Sequence, residues 1–291
     1  MKRWLAPVLA VVVLVAAAFA ILSYTRDETV QSDLVLMEID GEVKVIGGDG
    51  KPEAVIAGLA LDPKDRVTTG LSSRAVLAMG PTSRIRLGPQ STVRVVGHDE
   101  QAVTLELEGG ALQATVRPGP TALRIGSNGR EVLATDAAFE MGVGDDGTLV
   151  VEVTEGAAAT SGISGVAEVR SGERVTIAGD GTGVVSPVSS DLLLAVTWPE
   201  ARRTKEPTTR VTGMTVPSAT VNVRGGGKVV QVRADRTGRF EAEVPLLEGD
   251  NPLSVEATDV LGNVASVEGV TVLLKTKGAA FNSYVGGTVP P

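Results

Sequence analysis

The stretch Val103-Thr104-Leu105-Glu106-Leu107-Glu108-Gly109-Gly110-Ala111-Leu112-Gln113-Ala114-Thr115-Val116 decides the fold class. Val103, Leu105 and Leu107 fall on every second position, and so do Leu112, Ala114 and Val116, the period that gathers side chains on one face of a β-strand. Between the two runs, Gly109-Gly110 supplies the positive φ angles of a tight turn, so the stretch reads as a β-hairpin. The same pattern recurs over residues 35–185. Asp145-Asp146-Gly147 precedes Leu149, Val151 and Val153, and Gly179-Asp180-Gly181 closes the region. No helix-period segment of useful length intervenes, which argues against parallel βαβ architectures. The expected fold is all-β, a two-sheet stack of sandwich or solenoid type.

Residues 186–206 break the pattern. Leu192-Leu193-Leu194, Trp198-Pro199 and the charged run from Glu200 to Glu206 read as a short buried element and then an exposed linker. A second strand series follows over residues 207–275. Val221 and Val223 alternate toward Gly225-Gly226-Gly227, and turn signals recur at 235–238, 248–251 and 259–263, the spacing of a small β-sandwich. Residues 276–291 carry Gly, Pro and Ser without period and read as a disordered tail.

Composition agrees with strands: 35 Gly, 15 Pro and only 3% aromatic residues among 291, so aliphatic side chains must fill the cores. With no cysteine, disulfides, thiolate metal sites, thiol nucleophiles and lipoprotein attachment are excluded. At the N-terminus residues 1–4, with Lys2 and Arg3, are expected to form a cytoplasmic stub. The next 18 residues, Leu5 to Leu22, carry no charged or polar side chain. As a helix they would be about 27 Å long, close to the ~30 Å hydrocarbon core. Trp4 and Tyr24 bracket the run, Lys2 and Arg3 precede it, and Asp27, Glu28 and Asp33 follow. The expectation is a single inner-membrane anchor at residues 5–23, a linker at 24–34 and a periplasmic bulk. Ala18-Phe19-Ala20 leaves open a cleaved signal peptide and a secreted protein. Beyond Arg26 the chain has 24 basic and 35 acidic residues, a net −11, which makes nucleic acid a poor partner.

Two family resemblances emerge. Ile39-Asp40-Gly41-Glu42-Val43-Lys44-Val45, Gly58, Leu61, Asp65, Val67, Thr69-Gly70, Ser72, Ala75 and Leu77 resemble the opening of the FecR domain. Ser83, Ile85, Leu87, Ser91, Val93, Leu105, Leu107, Gly110 and Leu112 continue the likeness, as does Phe139 through Val153 with Glu155-Gly156. It spans residues 35–185, although Thr135-Asp136-Ala137-Ala138 stands where the family has Gly-Thr. Val211-Thr212-Gly213, Ala219-Thr220-Val221, Gly238-Arg239-Phe240, Glu248-Gly249-Asp250-Asn251 and Ala257-Thr258-Asp259 with Gly262-Asn263 resemble a bacterial immunoglobulin-like domain over residues 207–275. The FecR resemblance implies a regulatory signalling role. In that family's signalling proteins a cytoplasmic anti-sigma segment precedes the membrane helix, and here only residues 1–4 do so.

The search for chemistry is mostly negative. His98 is the sole histidine; Ser91 and Asp99 are near it, but Val95-Val96-Gly97 is not a nucleophile elbow. One imidazole and no thiolate make zinc a poor fit. Asp145, Asp146, Asp235, Asp250, Asn251, Asp259 and Asn263 could offer oxygens to calcium, yet each sits in a turn where Asp and Asn serve backbone hydrogen bonds. Glu106, Asp136, Glu140 and Glu152 could supply a glycosidase carboxylate pair, without the aromatic platforms that sugars stack on. Gly179-Asp180-Gly181-Thr182-Gly183 lacks the lysine and the helix of a phosphate loop. Trp198 is either an exposed anchor for a partner or a plug for one sandwich. We therefore assign no catalytic, cofactor or metal residue. The expected function is a non-catalytic, envelope-anchored binding or scaffolding protein whose partner is an envelope protein or cell-wall component. The alternative is a FecR-related transmembrane sensor acting through a separate cytoplasmic or membrane partner.

Overall fold

The structure, a computed structural model, describes residues 34–99, 101–189 and 192–276. The expected anchor at residues 5–23, the linker at 24–34 except for residue 34, and the tail at 276–291 except for residue 276 lie outside these residues. Every regular element among the described residues is a β-strand, as the alternation predicts. The first module contains β1 (Leu34–Asp40), β2 (Val43–Ile46), β3 (Leu59–Ala60), β4 (Arg66–Thr69), β5 (Arg74–Met79), β6 (Ser83–Leu87), β7 (Thr92–His98) and β8 (Ala102–Val116). It continues with β9 (Ala122–Ser127), β10 (Arg130–Ala134), β11 (Ala137–Val143), β12 (Leu149–Ser161), β13 (Glu168–Arg170), β14 (Glu173–Ile177) and β15 (Gly183–Pro187). The second has β16 (Leu194–Thr197), β17 (Arg203–Thr204), β18 (Thr208–Thr215), β19 (Thr220–Gly225), β20 (Lys228–Arg233), β21 (Arg239–Pro245), β22 (Gly249–Thr258) and β23 (Val264–Leu274).

The expected hairpin at Gly109-Gly110 is instead one strand. β8 runs unbroken from Ala102 to Val116 and belongs to two ladders. Its first half pairs with β7 and, in parallel, with β9; its second half pairs with β6 and β11. Val103, Leu105 and Leu107 are buried, and so are Leu112, Ala114 and Val116. A straight strand would send the odd and even sets to opposite faces, so the chain must corner between them. Gly110, at φ +78°, makes the corner. A Cβ there would stand 2.5 Å from Ser91 Oγ and 2.6 Å from Ser91 Cα. β12 behaves likewise: its first half pairs with β11 and β14, its second with β10 and β13, with Gly156 at φ +70° between them.

These two bent strands close a ring of five, β8–β9–β10–β12–β11 and back to β8. Flanking strands extend it on both layers. One layer runs β3-β1-β5-β6 into the ring and leaves through β14-β15; the other enters through β2-β4-β7. The layers enclose one core built from Leu34, Leu36, Leu77, Ile85, Leu105, Leu123, Ile125 and Phe139, among others. Full burial of each such side chain contributes about 1.5–3 kcal/mol, and Phe139 is the one ring in this core.

A repeated hydrogen-bond device holds the corners. Gly70 N donates to Glu42 O (2.8 Å) and Glu42 N to Ser73 Oγ (2.7 Å). In the same way Gly88 N donates to Ala111 O (2.9 Å) and Ala111 N to Ser91 Oγ (3.0 Å). Each serine satisfies the amide that follows a positive-φ glycine, Gly41 in one case and Gly110 in the other.

In the second module a three-stranded sheet, β16-β18-β21, faces a five-stranded one, β17-β23-β22-β19-β20, over a core around Phe240, Val221, Val223, Leu253 and Val255. The stretch 186–206, expected as a linker, contributes β16 and β17 to these sheets. Trp198 packs against the core, and a Cβ on Gly269 would stand 2.4 Å from its ring, so the indole lies flat on bare backbone. The expected glycine turn is a hairpin in which Gly225 pairs with Lys228 across Gly226 and Gly227, at φ +54° and +67°.

The corner generates a stability test. Gly110→Ala is expected to lower unfolding free energy by about 2–4 kcal/mol, through positive φ and clash together. Gly97→Ala, where a Cβ meets nothing within 4 Å, is expected to change it by less than about 1 kcal/mol. Urea denaturation of both variants measures the contrast.

Candidate functional site

Alternation on the first module's outer layer places polar residues outward at matching registers. Arg86 stands opposite Gln113, Gln113 opposite Glu140, Glu140 opposite Glu152, Glu152 opposite Arg174, and Arg174 opposite Ser186. A row of polar side chains therefore crosses six strands. Cross-strand neighbours of this kind lie within about 5 Å of each other. Gln113 Nε2 donates to Glu140 Oε1 at 3.1 Å.

The second module docks onto this row. Asp259, in the turn between β22 and β23, accepts from Arg174 Nη2 at 2.9 Å, while Arg174 Nη1 reaches Glu152 Oε2 at 3.4 Å. The Asp259 side chain is 0% exposed and that of Arg174 14%. The other Asp259 oxygen, Oδ1, accepts from Leu261 N (3.0 Å) and Asn263 N (2.8 Å), so one carboxylate both shapes its turn and anchors it. Beneath the turn lies bare backbone: a Cβ on Gly142 would stand 2.5 Å from Val260 O.

A second contact lies nearby. Ser218 Oγ is 2.6 Å from Asp146 Oδ2 and 2.8 Å from Thr148 Oγ1. Ser218 is held at φ +63° and almost fully buried. Asp145 pairs with Arg233, and Asp180 with Arg236 at 3.7 Å. Arg130 braces the two turns that carry these aspartates. It is buried, and its Nη2 donates to Ala178 O (3.0 Å) and Gly179 O (2.8 Å) while Nη1 points to Gly147 O (3.4 Å).

Between the modules is a cleft of about 1010 Å³. Its lining includes the polar row at Glu140, Glu152 and Arg174 and the aliphatic Val184, Leu193 and Val264. Burial pushes the Glu140 carboxyl above its ordinary value, reinforced by the nearby Glu152 and Asp259 charges. Burial also pushes Glu152 up, with Arg174 opposing it. The Ser218 and Thr148 contacts hold the Asp146 carboxyl below its ordinary range, against the burial that is the largest single influence on it.

The residues singled out from sequence scatter. Of the four candidate carboxylates only Glu140 and Glu152 meet; Glu106 lies in the opposite layer against Arg94, and Asp136 is exposed in the turn before β11. Ser91 is buried in its corner, its Oγ bonded to Ala111 and Pro89. His98 is half-buried at the end of β7, with Nδ1 unpartnered. The calcium candidates do turn chemistry: Asp235 Oδ1 accepts from Thr237 N and Arg239 N, and Asn251 Nδ2 donates to three carbonyls. Among the described residues no group of three or more His, Asp or Glu is placed to hold a metal. Arg174, Ser218 and Arg130 went unnoticed in the sequence. Their partners are 85, 72 and 49 residues away.

Two outcomes follow from this geometry. Arg174→Ala leaves Asp259 buried without its cation and is expected to cost about 3–5 kcal/mol of module docking, read as protease cleavage within residues 186–206 that the wild type resists. The Glu140 carboxyl is harder to ionise folded than unfolded. Its ionisation therefore costs stability in full above the raised folded value and nothing below the unfolded one. Glu140→Gln is expected to be more stable than wild type at pH 7. The difference should close as the pH falls through that window, as thermal melts across pH will show.

Comparison with known proteins places part of this chain. No curated protein matches it. Two crystal structures of a proposed anti-sigma factor from Parabacteroides distasonis ATCC 8503, at 1.65 and 2.50 Å resolution, each share 12% identity with it. Each match covers 43% of this chain and 60% of the other, with a TM-score of 0.39. The chain thus spans less than two thirds of these structures, and so slight a likeness bears on neither fold nor function. The family model described as FecR protein matches residues 65–159, a stretch from the end of the β3–β4 connection to the second half of β12, which includes all of β8 and β11. The FecR family is non-catalytic, so the family match gives residues 65–159 no enzymatic role. Residues 65–159 of this protein are a FecR domain.

Proposed function

We propose that this protein is a FecR-related regulatory protein of the bacterial envelope, which binds a partner through its two docked β-modules and acts through a separate membrane or cytoplasmic protein. The observation that carries this reading is the FecR match over residues 65–159, which includes the strand of Glu140 and most of that of Glu152. The scaffolding expectation explains the β-modules equally well but not the family. In this reading residues 5–22 anchor the chain in the inner membrane and the bulk is periplasmic. Residues 207–275 are an immunoglobulin-like domain, an assignment supported by the two facing sheets that they build together with β16 and β17.

Arg174 and Asp259 support a two-module sensor, because their ion pair joins the modules within the lining of the cleft, where an occupant would meet it. A regulator needs such a two-state element for a ligand to bias. Replacing residues 5–22 with an unrelated apolar helix tests the reading. Transcript profiles of cells carrying the replacement are expected to match those of a deletion strain. Profiles matching those of wild type would instead return the protein to the tethered-scaffold class.

A further inference from the structure

The lining of the inter-module cleft is both acidic and aliphatic. Glu140, Glu152 and Asp259 gather three carboxylates around the single guanidinium of Arg174, which is already shared between Glu152 and Asp259. Glu140 is left with an amide, Gln113, as its only hydrogen-bonded neighbour in the row. Over the whole lining, four carboxylates, these three and Asp180, face two guanidinium groups, Arg174 and Arg236. In the same lining Val184, Leu193 and Val264 are 63%, 57% and 60% exposed, although three aliphatic side chains lining one concavity are what a soluble surface ordinarily covers.

The spacing fits an extended chain. Glu140 and Ser186 are the ends of a row over β11, β12, β14 and β15. Three strand spacings amount to roughly 14 Å, the span of four to five extended residues. The unmet charge is negative, so the complementary occupant carries a cation where the row is acidic and aliphatic side chains where it is not.

We propose that the cleft binds an extended peptide segment of a partner protein, with a Lys or Arg seated against Glu140 and Glu152 and aliphatic residues a few positions away against Val184, Leu193 and Val264. This deepens the regulatory reading and rests on it, since it names the class of partner that the docked modules receive. The Arg174–Asp259 pair then sets the cleft's width, and the segment's cation supplies the charge that Glu140 lacks.

The test uses the full-length protein in detergent and a fluorescein-labelled peptide, Lys-Thr-Ser-Leu-Val-Leu, read by fluorescence anisotropy. Saturable binding is expected. It should weaken about tenfold or more when the peptide's Lys becomes Glu, when Glu140 becomes Gln, or when Val264 becomes Ser, because each change removes one partner of a desolvated contact. Both positions are on strand surfaces, and an unchanged melting profile establishes that the variants fold. Equal affinity for the Lys and Glu peptides overturns the proposal, as does the absence of saturable binding. Sedimentation velocity adds a third outcome: a dimer dissolved by Val264→Lys would assign the cleft to a second copy of the chain and also overturn it. Because this assay reads binding alone, the peptide can fail while the membrane-helix replacement still abolishes regulation, and the reverse result is equally distinguishable.

Discussion

A strand that serves two ladders must switch its inward face between them, and the first module depends on how β8 manages this. The apolar positions of β8 are odd before the corner and even after it, and both sets are buried. Only a residue without a Cβ can take Gly110's place at φ +78° against the backbone of Ser91. Because β8 and β12 both bend, five strands close into a ring and the flanking strands can extend in two layers over a single core. The serines at 73 and 91 complete the device by satisfying amides that the corners would otherwise strand. Without disulfides, these corners and close packing are what the module has to define its shape.

The corner also determines what the outer face carries. With the aliphatic positions turned inward, the intervening ones line up across strands, and Arg86, Gln113, Glu140, Glu152 and Arg174 become a continuous polar row. Such a row is half solvated on an isolated sheet. The second module covers part of it, and the desolvation shows in the raised Glu140 and Glu152 carboxyls. The docking is polar and local: one buried ion pair, two more exposed ones at Asp145–Arg233 and Asp180–Arg236, one serine bridging Asp146 and Thr148, and a turn laid over glycine backbone. Buried pairs of this kind contribute little net stability, but losing one partner is costly, so they specify position more than they add strength. A cleft whose walls belong to different modules and whose lining is charged suits a binding role.

The strands were readable from sequence because a period of two needs only local information. The hairpin at Gly109-Gly110 was misread for a physical reason: a two-residue turn and a corner both return Leu107 and Leu112 to the same core, so alternation alone cannot separate them. Residues 186–206 read as a short buried element and then a linker because Pro199 and the charged run show no strand alternation; Leu194, Val196 and Trp198 pack on the second core from a sheet edge, and Arg203-Thr204 adds a strand. The turn residues Asp235, Asn251 and Asp259 do the backbone capping expected of them. What the sequence could not convey is that Asp259 also meets Arg174, 85 residues earlier, because a contact between modules leaves no spacing to read.

The central claim is that the two modules form one docked unit with a shared cleft, and the absence of native cysteine makes it directly measurable. Nitroxide labels at Glu168→Cys and Lys228→Cys, both exposed and one on each module, report the inter-module distance by double electron–electron resonance. The account expects a single narrow distribution that broadens when Asp259 is replaced by Ala. A broad distribution in the otherwise native protein, unchanged by that substitution, would contradict it.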